Sequence, residues 1–282
     1  MSQTLLLPGD PVLKAGVNTR SIVVNLLLVA CALFFLLPMV WLVLASVDAT
    51  GSQQLKWPEL TLRQFGIAFD SDNLQALENS LVLSLVATVV ATVPSMIAAY
   101  SFSRHKIPGK QAILLSIVFL SGVPISILII PIYQLFQWAD CLSLIPTGVF
   151  LGATAMPFEI YVIKNAIDAI PVDLEEAARI ERAGVVRILL RVVAPLCLPG
   201  VMAAAVYGFI NTWGNFLPPL VLVSDMGEQP SPVAIFSLMT NNVINYGAIA
   251  AYSLVYCVPV IILYLVVARL FRGGFLLRGA VK

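Results

Sequence analysis

Glu175-Glu176-Ala177-Ala178-Arg179-Ile180-Glu181-Arg182-Ala183-Gly184-Val185-Val186-Arg187-Ile188-Leu189-Leu190-Arg191-Val192-Val193-Ala194-Pro195 is a charged stretch set between apolar runs in a chain otherwise composed for lipid. Asp173, followed three residues later by Glu176, has the spacing of a capping box with Asp in place of the usual Ser or Thr, and Pro171 lies just upstream. This predicts a helix from Leu174 to Ala183, about 15 Å long at ~1.5 Å per residue. Gly184 then supplies a permissive C-terminal turn. Ala177, Ile180 and Gly184 recur at helical spacing, and Ala178 broadens the small-residue face, so that another surface can approach closely. Glu175, Arg179 and Arg182 stand at its rim for polar contacts. Val185 to Ala194 reads as a second helix leading into Pro195. The residues alone leave two readings: an amphipathic pair resting on a bilayer, or a docking element that takes up force from a soluble partner.

The surroundings settle the solvent. Of 282 residues, 60% are hydrophobic and 11% charged, and the mean hydropathy is +0.95, well outside the range of soluble domains. Several apolar runs approach the ~20 residues needed to span hydrocarbon. The first, from Ser21 to about Ser46, exceeds the roughly 7 to 15 apolar residues of a signal peptide and reads as a retained helix. Cys31, Cys141, Cys197 and Cys257 lack metal-ligand spacing, and structural disulfides are not expected.

Six spans are predicted, at about Ser21 to Ser46, Asn79 to Phe102, Ala112 to Phe136, Pro146 to Ile163, Leu196 to Val223 and Tyr246 to Leu270. Of the 16 basic residues, 14 fall on one side of this arrangement and only Lys56 and Arg63 on the other. The positive-inside rule makes both termini and the 175–195 loop cytoplasmic. Residues 1–20 are then a cytoplasmic N-terminal segment, and 21–282 one six-span transmembrane domain with a charged loop at about 164–195. The longest outer segment, Asp48 to Glu78, carries Trp57, Pro58 and Phe65. It reads either as a small cap that meets a partner or as a passive connector with a tryptophan at the headgroups.

The charged stretch resembles the EAA loop of ABC importer permeases, whose pattern is Glu-Ala-Ala-x-x-Asp-Gly-Ala and, further on, Leu-Pro. Glu176, Ala177, Ala178 and Pro195 match it. Glu181 stands at the Asp position and Arg182 at the Gly position, so the turn is expected to move two residues on, to Gly184, lengthening the first helix. The likeness covers nearly the whole chain. Ala98-Ala99-Tyr100-Ser101-Phe102-Ser103-Arg104 with Pro108-Gly109-Lys110, Leu128-Ile129-Ile130-Pro131-Ile132-Tyr133, Met156-Pro157-Phe158-Glu159-Ile160-Tyr161 and Phe209-Ile210-Asn211-Thr212-Trp213-Gly214-Asn215-Phe216-Leu217 follow in the order seen in carbohydrate-importer permeases of the maltose type. Gly214 and Asn215 depart from the Asn-Asp of that family. Gly279-Ala280-Val281-Lys282 is similar to its usual ending.

The resemblance implies an all-α membrane protein with the type I ABC importer permease fold, six transmembrane helices and a cytoplasmic coupling helix. It implies pairing with a homologous permease, two copies of an ABC ATPase subunit, an external binding protein that delivers a di- or oligosaccharide, and a place in a bacterial or archaeal plasma membrane. Glycerol phosphate or another polyol is the alternative cargo. No enzyme activity and no nucleic-acid partner are expected. The chain has no phosphate-binding loop, because Gly109-Lys110 runs into Gln111 without the upstream glycine. ATP and Mg are thus expected on partner subunits, with no cofactor bound here. His105, the single histidine, excludes a multi-histidine metal site and reads as solvated. Within the spans, Tyr133, Gln134, Asn211, Thr212, Trp213 and Asn215 offer hydroxyl-compatible hydrogen bonds and a flat aromatic surface for a sugar. Taken singly, each is equally well helix-to-helix glue. Glu159, the one acidic residue deep within a span, is expected to pair with Lys164. Its rival role, a proton relay in an ion-coupled transporter, has no second intramembrane group behind it.

Overall fold

The computed structural model describes residues 19–49, 59–240 and 244–278. Most of the 1–20 segment, Trp57, Pro58 and the 279–282 ending lie outside the described residues. The long helices are α1 (Thr19–Ser46), α3 (Ser71–Arg104), α6 (Leu144–Asp168) and α13 (Tyr246–Arg278), with the short α2 (Arg63–Ala68) after the first. Between α3 and α6 lie α4 (Lys110–Ser121) and α5 (Ile125–Trp138). After α6 come α7 (Asp173–Ile180), α8 (Val185–Ile188), a π-helical turn at Leu189–Val193 and α9 (Ala194–Leu196). The chain then continues through α10 (Leu198–Trp213), α11 (Leu217–Leu222) and α12 (Ser231–Thr240). Among the described residues four helices are long and apolar enough to cross a membrane, and six spans result if each of two bent pairs counts as one.

The bent pairs fall where proline withholds a backbone donor. Pro124 starts α5 and disfavours helix at Val123, and α4 meets α5 at 86°. Pro195 has no N–H for the Arg191 carbonyl, the preceding turn widens to π geometry, and the helix breaks by 81° at Cys197 before Pro199 restarts it in α10. The predicted third span is therefore two helices, while the predicted fifth, Leu196 to Val223, holds α10 and α11 and leaves out the Val185–Leu196 stretch that pairs with α10 across the 81° bend. The predicted second and fourth spans are longer than hydropathy indicated. Ser71 to Glu78 extends α3 because Asn73 and Asn79 bond to Ile67, Gly227 and Gln229 carbonyls. Leu144 opens α6 with its N–H donated to Glu228 Oε2 at 2.8 Å. Of the expected cap, residues 48–49 and 59–78 are described; they include α2 and the start of α3, and Ala68 of α2 packs against Ala251 and Tyr252.

The centre of the bundle is the parallel pair α3 and α6. Lipid offers no hydrophobic drive for helices to associate, so close backbone approach and interhelical hydrogen bonds must do it. Gly148 and Gly152 let α6 sit directly on α3: a Cβ on Gly152 would stand 2.6 Å from the Ala87 carbonyl oxygen and 2.9 Å from Val90 Cβ. Further along, Ser95 Oγ donates to the Met156 carbonyl at 3.4 Å. Helix α10 packs across both. Near one end of the bundle Ala99, Tyr100, Ile163, Ile167, Ile188, Val193 and Cys197 form a buried cluster that ties the π-helical turn to α3 and α6.

Glu159 does not pair with Lys164. The lysine instead bonds Asp168 at 2.5 Å, one turn on and away from the core. Glu159 points the other way, is fully buried, has no hydrogen-bond partner on either oxygen, and fills the notch left by Gly208 on α10. Overpacking a well-filled core costs about 1–3 kcal/mol. Gly152→Val is therefore expected to lower the thermal unfolding temperature of the purified chain. Gly66→Ala, inside α2 with nothing within 4 Å of its Cβ position, should not lower it and should raise it slightly, since alanine has less freedom to lose on folding.

Candidate functional site

Helix α7 stands at the end of the bundle where α3 finishes and α6 finishes. It runs from Asp173 to Ile180, not from Leu174 to Ala183, and the capping box does not form. Val172 occupies the cap position with no side-chain bond, and its carbonyl takes the Glu175 and Glu176 N–H groups instead. The helix ends in a Schellman turn. Arg182 N–H bonds the Arg179 carbonyl at 2.9 Å and Ala183 N–H bonds the Ala178 carbonyl at 3.0 Å. Arg182 itself takes the left-handed conformation, at φ 57°. The turn has thus stayed at Arg182 rather than moving to Gly184, which is extended at φ −73° and ψ 161° and starts α8. The physical reason is on the inner face, where Ala178 and Ala183 both pack on the buried cluster and fix the register of the turn.

Ala177 and Ala178 therefore face opposite ways. Ala177 is exposed with Leu174 and Ile180, the latter 82% exposed, while Glu176, Arg179, Glu181 and Arg182 ring that apolar patch with charge. Glu175 is not a rim residue: it is buried, accepts from the Tyr100 hydroxyl at 2.9 Å and from Arg104 Nε at 2.6 Å. Arg104 also donates through Nη2 to the Ile167 and Ile170 carbonyls, at 3.1 and 2.9 Å, and through Nη1 to Ser103 Oγ. Ile167 is in the last turn of α6, where carbonyls lack the usual helical donor, and its carbonyl also accepts the Ile170 N–H at 3.0 Å; Ile170 is in the connection that follows. Ser103 in turn donates to Asp168 at 2.5 Å. Removing either member of such a buried ion pair leaves an uncompensated charge, at about 3–5 kcal/mol. His105 is exposed just beyond this cluster.

A second feature lies within the spans. A cleft of about 620 Å³ opens between the α4–α5 break, α6 and α10, and among its lining residues are Ser126, Thr154, Phe158, Tyr207, Asn211 and Asn215. The Phe158 and Tyr207 rings stand 4.2 Å apart, centroid to centroid. Neither acid nor base lines it. Asn211 and Asn215 face the cleft, whereas Tyr133 and Gln134 are not among its lining residues; α5 reaches it with Ser126, Leu128 and Ile132. Thr212 and Trp213 are buried on the other side of α10. The Trp213 indole is stacked between Phe209 and Tyr256, with centroids at 5.5 and 5.0 Å, and the Tyr256 hydroxyl donates to its carbonyl. Its faces are thus taken by protein, which corrects the expectation of a sugar platform there. The aromatic surface on the cleft comes from Phe158 and Tyr207, which the sequence reading had not singled out. Tyr207 precedes Asn211 by one helical turn, and that i,i+4 spacing was the available signal.

Residues 91–273 match the family described as binding-protein-dependent transport system inner membrane component. The chain belongs to this family. These inner-membrane components are multi-pass permeases of ABC transporters and are not themselves enzymes, which removes the ion-coupled and enzymatic rivals. Relatives of this permease include the trehalose transport system permease protein SugB of Mycobacterium tuberculosis, 30% identical over 88% of this chain and 93% of that one. The diacetylchitobiose uptake system permease protein DasC of Streptomyces coelicolor is 28% identical over 87% of this chain and 91% of that one. The sulfoquinovosyl glycerol transport system permease protein SmoH of Agrobacterium fabrum is 29% identical over 97% and 99%. In fold the permease is similar to a chain of a bacterial ABC transporter involved in import of the acidic polysaccharide alginate. That match has a TM-score of 0.75 at 21% identity and covers 89% of this chain and 96% of the other. A second structure, of the alginate transporter in complex with an alginate pentasaccharide-bound periplasmic protein, matches with a TM-score of 0.64 at 15% identity, covering 88% and 93%.

The left-handed conformation costs a non-glycine residue roughly 1–2 kcal/mol. Arg182→Gly in this permease should raise thermal stability by up to about 1 kcal/mol, since part of the gain is offset by glycine's greater freedom when unfolded. Gly184→Ala should change it by less than about 0.5 kcal/mol. The reverse order of the two in a melting series would move the turn back to Gly184.

Proposed function

We propose that this chain is one half of a heterodimeric permease for a neutral di- or oligosaccharide, driven by two copies of an ABC ATPase subunit docked on α7 and supplied by an external binding protein at the opposite end. The supporting observation is α7 itself. It is a short helix with Leu174, Ala177 and Ile180 uncovered at the end of the bundle and Glu175 held in the packed ends of α3 and α6. A membrane protein working alone has no use for that arrangement. ATP and Mg belong to the partner ATPases in this reading, and no cofactor is held by this chain. Both termini and α7 face the cytoplasm, as the 14 basic residues on that side favour.

Cargo follows from the cleft. Hydroxyl and carboxamide groups at Ser126, Thr154, Tyr207, Asn211 and Asn215, beside the Phe158 and Tyr207 rings, suit the hydroxyls and apolar faces of a sugar. The named cargoes of SugB and DasC are a disaccharide and an N-acetylated disaccharide, in keeping with this chemistry. An uncharged polyol is the second reading, since its hydroxyls meet the same groups. With no basic residue on this wall, a phosphate or carboxylate has no charged partner here, and neutral cargo is favoured.

In the cycle, ATP-driven closure of the ATPase pair displaces α7, and the helices attached to it reorient the cleft from one side of the membrane to the other. ATP-dependent uptake by the complete complex tests this. Ala177→Arg should abolish uptake by blocking close approach, and Arg179→Pro should do so by breaking α7, at ~3 kcal/mol or more. Tyr207→Ala and Asn211→Ala should weaken uptake while leaving ATPase assembly intact. An impermeant thiol reagent applied to intact cells should label a cysteine at Asp72 and not one at Val185. Parental uptake in Ala177→Arg and Arg179→Pro, with normal assembly, contradicts the proposal.

A further inference from the structure

Resting on the reading of α7 as the ATPase-docking helix, we propose that Tyr100, Arg104 and Glu175 form the strut through which α7 moves α3 and α6 as one body. Arg104 and Glu175 are then positioning residues that set how much transport each ATP yields, while touching neither cargo nor nucleotide.

The chain between α6 and α7 is the non-helical connection Ala169–Val172. Such a link alone lets α7 pivot, because nothing in an irregular connection resists rotation as a hydrogen-bonded helix does. What stops the pivot is Glu175, in the first turn of α7, whose carboxylate is fully held: Oε2 by the Tyr100 hydroxyl and Oε1 by Arg104 Nε. Arg179, one turn further along α7, lies near the same hydroxyl.

Arg104 is bonded to three helices at once. It is the last residue of α3, it donates to two carbonyls at the α6 C-terminus, and it pairs with α7. A planar guanidinium with donors in fixed directions can do this where a lysine ammonium cannot. The α3 and α6 ends are further fastened to each other by Ser103 and Asp168, and farther along by the glycine contacts at 148 and 152. The bends of the chain lie elsewhere, at Cys197 beyond the π-helical turn and between Ser121 and Ile125. A displacement applied to α7 is thus delivered to α3 and α6 with no break in the path, and is taken up at the bends, of which the one between Ser121 and Ile125 borders the cleft.

The test uses the complete complex of permease pair, ATPase and binding protein in proteoliposomes, reading cargo delivered per ATP hydrolysed. Glu175→Gln keeps the shape of the side chain and removes its charge. It should lower delivery per ATP by on the order of tenfold, within the usual span of conformational coupling, while hydrolysis and copurification with the ATPase persist. Arg104→Gln should do the same, and the double variant should be no worse than either alone, because the two act through one another. Tyr100→Phe should give a smaller loss in the same direction. Delivery per ATP at the parental ratio in both single variants overturns the proposal, as does a proportional fall of uptake and hydrolysis together. If Glu175→Gln removes the folded chain from the membrane or releases the ATPase, the cluster is a folding or docking element and the proposal likewise fails. Failure of the parental complex to retain an ATPase would instead overturn the reading of α7 itself.

Discussion

The close approach of α3 and α6 at Gly148 and Gly152 is the contact on which the other features hang. In hydrocarbon, a helix gains nothing from hiding leucine from lipid, so the pair is held by backbone proximity and by hydrogen bonds such as Ser95 to the Met156 carbonyl. Because the two helices run parallel and in contact, their C-terminal ends coincide, while α3 starts before α6 at the other end. At one end the coincidence places Arg104 beside the Ile167 and Ile170 carbonyls where α6 finishes and within reach of Glu175. At the other, Asn79 and Ser80 of α3 bond the Gly227-to-Ser231 segment, whose Glu228 caps α6. The face of α6 turned away from α3 carries Thr154 and Phe158 into the cleft.

Irregular backbone inside a membrane protein is tolerated where it lines a cavity or is covered by protein. The break between α4 and α5 obeys that rule, since Leu120, Ser121, Val123 and Ile125 all border the cleft. The stretch after α10 does too, with Asn215, Leu217 and Pro218 on the wall. The cleft is thus built where prolines interrupt the spans, and the uninterrupted α3–α6 pair supplies the rigid side against which those interruptions work. Among the described residues Ser84 Oγ, Thr92 Oγ1, Trp213 Nε1 and both Glu159 oxygens are buried without a hydrogen-bond partner, and Glu159 is the one acid in that set. It sits fully buried in the notch at Gly208 with both oxygens unpartnered, and no structural purpose for it follows from its surroundings.

Much of this arrangement was legible in the sequence, and the misses have physical causes. Hydropathy located the four long apolar helices and the broken third span because crossing hydrocarbon demands length and composition that few other environments demand, but it set Val185 to Ala194 outside the fifth span, although that stretch pairs with α10 across the bend. It placed the start of α3 late because Asn73 and Asn79 are polar yet helical, paid for by tertiary hydrogen bonds that no local pattern announces. Pro124 and Pro195 carry the local signal for the interruptions, yet the expected third span runs unbroken from Ala112 to Phe136. The turn after α7 was misread because Gly184 is the better left-handed residue by intrinsic preference, whereas the packing of Ala178 and Ala183 decides where the turn falls. Glu175 and Glu176 are neighbours of one type, and only the tertiary partners Tyr100 and Arg104 separate a buried anchor from an exposed rim residue. Of the residues read as cargo contacts, Asn211 and Asn215 share a face of the cleft, while Trp213, one helical step away, is committed to Phe209 and Tyr256.

The central claim is that α7 is the surface on which an ATP-hydrolysing partner works. Site-directed crosslinking tests it most directly: a cysteine at Ala177, in the full complex with a single cysteine on the ATPase surface, followed through the ATP cycle. The account predicts a covalent permease–ATPase product from position 177 and none from Ala178, which faces inward one residue away. Equal crosslinking from both positions, or none from 177 in an assembled and transporting complex, would contradict it.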